Sequence, residues 1–263
     1  MRIRTPYQKT RNLIRRSWLR LRARESAIPD TQFYSAQVRE KYSFAIRFLP
    51  KRGLLVDAAC GTGLGIANSG QHQRYVGLDK NRAAIILGEE YHPELKGKLR
   101  LGNVTKMPFP SQSVSGLTAF EVFEHLRRKQ KVKFLDEVKR VLAPEGVFVM
   151  STPFKFGPLT TLNINHFGKE VTLEELAPML HSHFSNVRYF GQGEVSEKLS
   201  GKLAARVLEL ITSVDLFYLR RLVVSRERRS KAFQSLMKTN EILPIETYLS
   251  SGKLPKTIIA IAN

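Results

Sequence analysis

The sequence predicts an α/β protein built on a mostly parallel sheet with helices on both faces. Three observations predict it. Short apolar runs of strand type alternate with helical stretches, a glycine-rich turn follows the first of those runs, and 42% hydrophobic residues over 263 positions suffice to fill a full-sized core. The runs are LLVDAA (54–59), YVGLD (75–79), SGLTAFE (115–121), GVFVMST (146–152), NVRYF (186–190) and TIIAIA (257–262), with helical stretches notably at 81–90, 128–142 and 172–182. A further amphipathic helix is expected over 34–50, ended by Pro50 and Gly53, and Thr172 with Glu175 three residues on forms a capping box for the helix that follows. Residues 194–256 break the rhythm with a long, largely helical insertion before the last strand. Four parts are expected: a basic helical extension (1–50), the core (51–193), a helical cap over the sheet's end (194–256) and the final core strand (257–263).

The charge is large and uneven. Lys and Arg number 43 against 23 Asp and Glu, a net charge of +20, and residues 1–51 hold 13 basic and 3 acidic side chains. Such a balance favours polyanionic surroundings, RNA or an anionic membrane surface, without saying anything about the fold. Up to Arg24 there is no acidic residue, and Leu13, Ile14, Trp18 and Leu21 fall at helical spacing among arginines. Two accounts stay open: a helix lying on lipid or nucleic acid with Trp18 at the interface, or a solvated helix whose apolar stripe docks on the core. An Arg-rich, acid-free start also matches a transit-peptide composition. A second basic cluster, Arg220, Arg221, Arg226, Arg228, Arg229 and Lys231 within 219–231, suits phosphate on a lipid-linked sugar, a membrane or RNA, or else is a solvated helix face. With no apolar stretch near about 18 residues and a single cysteine, Cys60, the chain is expected in a reducing, cytoplasmic compartment, with peripheral membrane association open.

The strongest local signal is VDAACGTGLG (56–65). A strand runs into Asp57, and the turn after it carries Gly61, Gly63 and Gly65, where missing side chains let a ligand approach the backbone and free amides can face it. Asp79 follows Asp57 by 22 residues at the end of the second run, near the interval for an acid that accepts ribose hydroxyls. A carboxylate just ahead of the glycines would repel a pyrophosphate but suits a cationic amino-acid end, and no Gly-Lys-Ser or Gly-Lys-Thr follows to hold phosphate. A positively charged nucleoside without phosphate is the ligand so described, and S-adenosylmethionine fits.

Together with YVGLD, GNVTKMPFP (102–110), LTAFEVFEHL (117–126) and EVKRVLAPEGVFVMSTP (137–153), this loop resembles a class I S-adenosylmethionine-dependent methyltransferase of the broad small-molecule type. The resemblance covers 53–153 and the closing strand. It implies a Rossmann-like, doubly wound, seven-stranded sheet of order 3-2-1-4-5-7-6 with the last strand antiparallel. It also implies that Asp57 and the backbone at Ala59, Gly61 and Gly63 hold the methionine end, Asp79 the ribose, and Asn103 and Val104 the adenine, with Phe120 beside the cofactor. Two positions depart from the family: Ala59 replaces a common first glycine, and Asn103 replaces a common Asp, its amide oxygen still able to accept a hydrogen bond.

Acceptor chemistry is expected at the carboxyl end of the fourth strand, where Glu121, Glu124 and His125 follow Phe120, with Glu121 and Glu124 on adjoining positions of one helical turn. Three readings stand. His125 or His166 is the general base for a substrate hydroxyl; or Glu121, Glu124, His125 and His166 hold a divalent cation; or the two glutamates cap a helix at the cofactor's rim. The cation reading resembles plant small-RNA 2'-O-methyltransferases and some ubiquinone-pathway O-methyltransferases, which share the Glu-x-x-Glu-His run. His166 lies in a polar loop, whereas His181 and His183 are expected to be structural. Cys60 sits inside the glycine loop, poorly placed to attack a base, and the Asn/Asp-Pro-Pro-Tyr/Phe signature of amino methylation is missing after the fourth strand. Both absences favour an oxygen acceptor on a small molecule, glycan or lipid-linked precursor. RNA is the alternative enzyme substrate, and an inactive cofactor-binding scaffold is the alternative from another class.

Overall fold

The structure, a computed structural model, describes residues 32–153, 171–194, 241–251 and 255–263, with side chains from residue 37 onward except at 194 and 256. The expectations placed on the basic helix around Trp18, on His166 and its loop, and on the arginine cluster at 219–231 lie outside the described residues.

The described chain runs α1 (Gln32–Ile46), β1 (Leu55–Ala58), α2 (Leu64–Ala67), β2 (Tyr75–Asp79), α3 (Arg82–Tyr91), β3 (Leu99–Leu101), β4 (Val114–Phe120), α4 (Arg128–Val141), β5 (Leu142–Pro153), α5 (Leu173–His181), β6 (Val187–Glu194), β7 (Ile242–Pro244), α6 (Ile245–Ser250) and β8 (Pro255–Ala262). Short 3-10 turns lie at Pro93–Leu95 and Phe123–His125. The sheet order is β3-β2-β1-β4-β5-β8-β6-β7. β1 to β5 pair in parallel, and β8 runs antiparallel to both β5 and β6.

The strands read as unbroken apolar runs because both faces of the sheet are covered. Neighbouring residues divide between two cores: Val56, Phe148 and Ile258 belong to one, and Leu55, Val149 and Ile259 to the other. The first core takes Phe134, Leu135 and Val138 of α4 and Leu176 and Leu180 of α5; the second takes Phe44 and Ala45 of α1, Ile66 of α2 and Ile85 of α3. This is the doubly wound arrangement. α1 is anchored by aromatic contacts, with Phe44 edge-on to Phe190 at 4.9 Å between ring centres and the Arg188 guanidinium 4.8 Å from the centre of Phe48.

Two differences from the expected sheet have simple physical causes. Among the described residues the sheet has eight strands in place of seven, because β7 adds to the edge beyond β6; without it the order is the expected one. The segment expected to be a largely helical cap returns to the sheet by Ile242, and α6 packs its Tyr248 against Gly191, where a side chain would lie 2.6 Å from the ring. The capping box forms as read, with Thr172 Oγ1 accepting from Glu175 N at 3.2 Å and Glu175 Oε2 from Thr172 N at 3.3 Å. No helix among the described residues is long and apolar enough to cross a membrane.

Candidate functional site

The loop between β1 and α2 folds back over the end of β2. Ala59 N–H and Cys60 N–H both donate to Leu78 O, and Gly61 N–H donates to Asp79 Oδ2 at 2.9 Å. Asp79 Oδ1 accepts from Asn81 N–H at 2.8 Å, so the carboxylate is fixed by backbone on both oxygens and keeps further lone pairs for a ligand. Gly61 has φ +58° and nothing within 4 Å of where a side chain would start. Open space above an amide held in that way is a cradle for a ligand rather than a packing requirement. Gly63, at φ +74°, is different, since a side chain there would meet Leu95 at 2.6 Å.

Ala59 also lies in the left-handed region, at φ 64°. Its replacement of a glycine is therefore not free: an L-residue there costs about 1–2 kcal/mol, against the smaller entropic cost of glycine. Ala59→Gly is expected to raise stability by about 0.5–1 kcal/mol in denaturant unfolding, after the lost methyl packing is counted. A destabilised variant would show that the methyl contributes more than the backbone strain costs.

Asp57 does not face the ligand space as expected. Its carboxylate is buried, 1% exposed, and accepts from Tyr42 Oη at 2.5 Å and from Thr118 Oγ1 at 2.7 Å. Burial pushes its pKa up to about 7 against the pull of those two hydrogen bonds, and the charge of Asp79 adds to the rise. Asp57 is thus tied to Tyr42 of α1 and Thr118 of β4 rather than open to solvent. The Tyr42 ring stands edge-on to Phe120 at 4.9 Å and to Tyr75 at 6.4 Å, so Phe120 touches the loop's support.

At the tip of β4, Glu121 and Glu124 do not share a helical turn. Glu121 sits at φ 55°, before the 3-10 turn that holds Glu124 and His125. Its Oε1 pairs with Lys41 Nζ of α1 at 2.5 Å and accepts from Ser151 Oγ at 2.8 Å. Glu124 is 1% exposed and accepts from Thr152 Oγ1 at 3.3 Å, while His125 Nε2, on a half-exposed side chain, lies 3.9 Å from its Oε1. Burial, and then the charge of Glu121, raise the Glu124 pKa to about 8. Of the expected cation set, Glu121 pairs with Lys41 and Glu124 is buried beside it, and no metal-competent group of three or more His, Cys, Asp or Glu occurs among the described residues.

These two acids give a pH dependence of definite sign. An acid whose pKa rises on folding holds its proton in the native state where the unfolded chain has lost it, so its stabilisation is full at low pH and fades as pH climbs through the folded value. The window runs from 3.8 to about 7 for Asp57 and from 4.5 to about 8 for Glu124. Between about pH 5 and about pH 8, Glu124→Gln should lose melting temperature less steeply than the wild type. Equal slopes in the two proteins would contradict a raised Glu124.

At the expected adenine side, Val104 is buried in the core and Asn103 is exposed. The Asn103 oxygen is already used: Oδ1 accepts from Thr105 N–H at 3.0 Å and from Thr105 Oγ1 at 3.1 Å. The loop that carries it is pinned from α4, where Glu137 accepts from Met107 N–H at 2.7 Å and Arg140 donates to Glu137 and to the carbonyls of Met107 and Phe109. His183 is structural as expected, bridging Met179 O and Asp136 Oδ1, and His181 packs on the Tyr189 ring. Sequence reasoning missed Lys41, Tyr42, Thr118, Ser151 and Thr152. A lysine on the buried face of an amphipathic helix was the available signal for Lys41, which is 6% exposed.

The glycine loop and Asp79 leave open space at the tips of β1 and β2. The profile of a family described as a methyltransferase domain matches residues 56–150. A probable S-adenosylmethionine-dependent methyltransferase of Mycolicibacterium smegmatis is 35% identical over 135 residues, 49% of this chain and 50% of that protein. The chain spans about half the length of the curated relatives it matches. The crystal structure of an S-adenosylmethionine-dependent methyltransferase from Archaeoglobus fulgidus superposes with a TM-score of 0.55 at 15% identity, over 87% of this chain and 93% of that one. The geranyl diphosphate C-methyltransferase of Streptomyces coelicolor superposes with 0.51 at 20% identity, over 85% and 78%. Residues 56–150 thus match a methyltransferase domain, and the sheet built around them has the fold of solved S-adenosylmethionine-dependent methyltransferases.

Proposed function

We propose that the protein transfers the methyl group of S-adenosylmethionine to a hydroxyl oxygen on a small molecule, glycan or lipid-linked precursor. The observation that carries the proposal is the Gly61 amide held on Asp79 at 2.9 Å beneath open space, at the point where β1 and β2 end side by side. When bound, the cofactor supplies a methyl carbon already activated by its sulfonium. The chain then has to orient two molecules, exclude water and take one proton. Asp79 accepts the ribose hydroxyls, and the glycine backbone lies along the methionine end. His125, half-exposed beyond the tip of β4, is the candidate to take the acceptor proton. His166 is a second candidate base. A divalent cation is not part of this reading, because Lys41 already neutralises Glu121, and turnover unchanged by EDTA is the expected result.

The net charge of +20 favours a second acceptor class, RNA, and more generally a phosphate-bearing acceptor or anionic surface met through the N-terminal basic segment and 219–231. One experiment separates these. Methyl-labelled cofactor is incubated with the protein and a total-cell extract, which is then fractionated into RNA, lipid, glycan and protein. Label in small-molecule, lipid or glycan fractions, stable as an ether or ester, supports oxygen transfer. Label confined to RNA selects the second reading, and label on carbon or nitrogen overturns the oxygen assignment. Titration calorimetry that detects no S-adenosylhomocysteine binding would overturn both.

A further inference from the structure

We propose that the exposed face of α4 over its first two turns is a docking surface for an anionic lipid bilayer. The inference rests on the oxygen-transfer reading above and deepens it by naming where a lipid-borne acceptor is met, on residues other than the N-terminal segment and 219–231.

α4 starts directly after the turn that holds His125 at the tip of β4. Its first turns therefore lie at the carboxyl end of the parallel strands, the end that carries Gly61 and Asp79. Residues 127–133 hold five basic side chains and no acidic one. Lys131 turns inward, with its Nζ 4.8 Å from the centre of the Phe123 ring and within reach of the charges of Glu124 and Glu175. Arg127, Arg128, Lys129 and Lys133 are exposed, and none of the four has an ion pair among the described residues. The acids of α4 itself come later in the helix and are already engaged: Asp136 Oδ1 lies 3.1 Å from His183 Nε2, and Glu137 pairs with Arg140.

This arrangement is unfavourable in the isolated protein. Lys129 and Lys133 are like charges at i,i+4, and all four cations crowd the end of the helix where its dipole is positive. The first turn has no acidic residue to compensate. A negatively charged surface relieves both repulsions, so charge complementarity sets the sign of the occupant.

Val132 selects a bilayer among anionic partners. It is 44% exposed and stands between Lys129 and Lys133, so the face presents methyl groups flanked by cations, as a helix resting at the level of lipid headgroups does. Single-stranded RNA is gripped by stacking aromatics, and the one exposed Phe, Tyr or Trp among the described residues is Tyr91 of α3, on the opposite face of the sheet from α4.

Wild-type protein is mixed with vesicles of phosphatidylcholine alone or of equal parts phosphatidylcholine and phosphatidylglycerol, and binding is measured by sedimentation. It is expected with the second and not the first, and falls as salt is raised. Lysine acetylation read by mass spectrometry locates the contact. Lys129 and Lys133 should lose reactivity on the anionic vesicles, and Lys51 and Lys96, exposed at the amino end of the sheet, should keep theirs. R128E/K129E/K133E should weaken vesicle binding at least about tenfold, since each basic residue near an anionic surface contributes about fivefold. K51E/R52E/K96E changes the net charge equally at the opposite end and should stay within about threefold of wild type. The footprint on the unaltered protein keeps the test decisive if the first variant folds poorly. No binding to anionic vesicles, full reactivity of Lys129 and Lys133 on them, or equal losses in the two triple variants overturns the inference. Protection of those lysines by single-stranded RNA and not by vesicles overturns it too, and assigns the face to RNA. S-adenosyl-homocysteine titration without vesicles tests the methyltransferase reading by itself, so the two failures are distinguishable.

Discussion

Asp79→Ala is expected to raise the Kd for S-adenosyl-homocysteine by at least about a hundredfold, more than any other single change at the site. Two losses combine. The two ribose hydroxyls would lose a charged acceptor, and hydrogen bonds to charged groups contribute about 1.5–3 kcal/mol each, so a pair exceeds the ~2.7 kcal/mol that a hundredfold represents. The carboxylate also holds the glycine loop, since Gly61 N–H and Asn81 N–H end on its two oxygens. Without it the cradle itself is released. Asp79→Asn separates the two contributions, because its one oxygen can keep the Gly61 amide while its NH2 opposes a donor at the other contacts. It should fall between wild type and Asp79→Ala. A Kd for Asp79→Ala within about fivefold of wild type, in a protein whose melting curve stays cooperative, would show that the ribose lies elsewhere.

What was legible in the sequence follows from how local each cause is. β1, β2, β4, β5 and β8 could be read because sheets covered on both faces need continuous apolar runs. β3 could not, since two of its three residues are exposed, and β7 is a three-residue edge strand ending at Pro244 with no buried member. The glycines and Asp79 announce a site through residue types that backbone geometry demands. Ala59 hides the same demand, because its φ of 64° is imposed by the bonds its amide and that of Cys60 make to Leu78 O and not by its own chemistry. Asp57 was legible as a residue, but its burial was not. What buries it is a tyrosine on a helix before the core and a threonine 61 residues later, and neither looks unlike an ordinary core residue in the sequence. Lys41 and Glu121, 80 residues apart, are a long-range pairing of the same kind.

The contact between α1 and the glycine loop leads to the second large effect, at Gly65. Helix propensity alone predicts that Gly65→Ala, inside α2, stabilises by about 1 kcal/mol. Packing predicts the opposite and outweighs it. A methyl at Gly65 would sit 1.9 Å from Tyr42 Cε2, 2.1 Å from Cζ and 2.6 Å from Oη. The ring cannot simply swing away: it is 5% exposed, edge-on to Phe120 and Tyr75, and its hydroxyl donates to the buried Asp57. Overpacking costs about 1–3 kcal/mol and an unpaired buried polar group about 1–3 more, so Gly65→Ala should destabilise by about 2–4 kcal/mol net. A double-mutant cycle locates the cause. Tyr42→Ala opens the space that the new methyl needs, so the double variant should be about as stable as Tyr42→Ala alone, with a coupling of at least about 1.5 kcal/mol. Additive effects would mean that Gly65 answers to its own backbone and that Tyr42 does not hold α1 against the loop. Loss of S-adenosyl-homocysteine binding in Gly65→Ala, under conditions where it is still folded, would extend the coupling from stability to the cofactor, because the displaced ring leaves Asp57 without its Tyr42 partner.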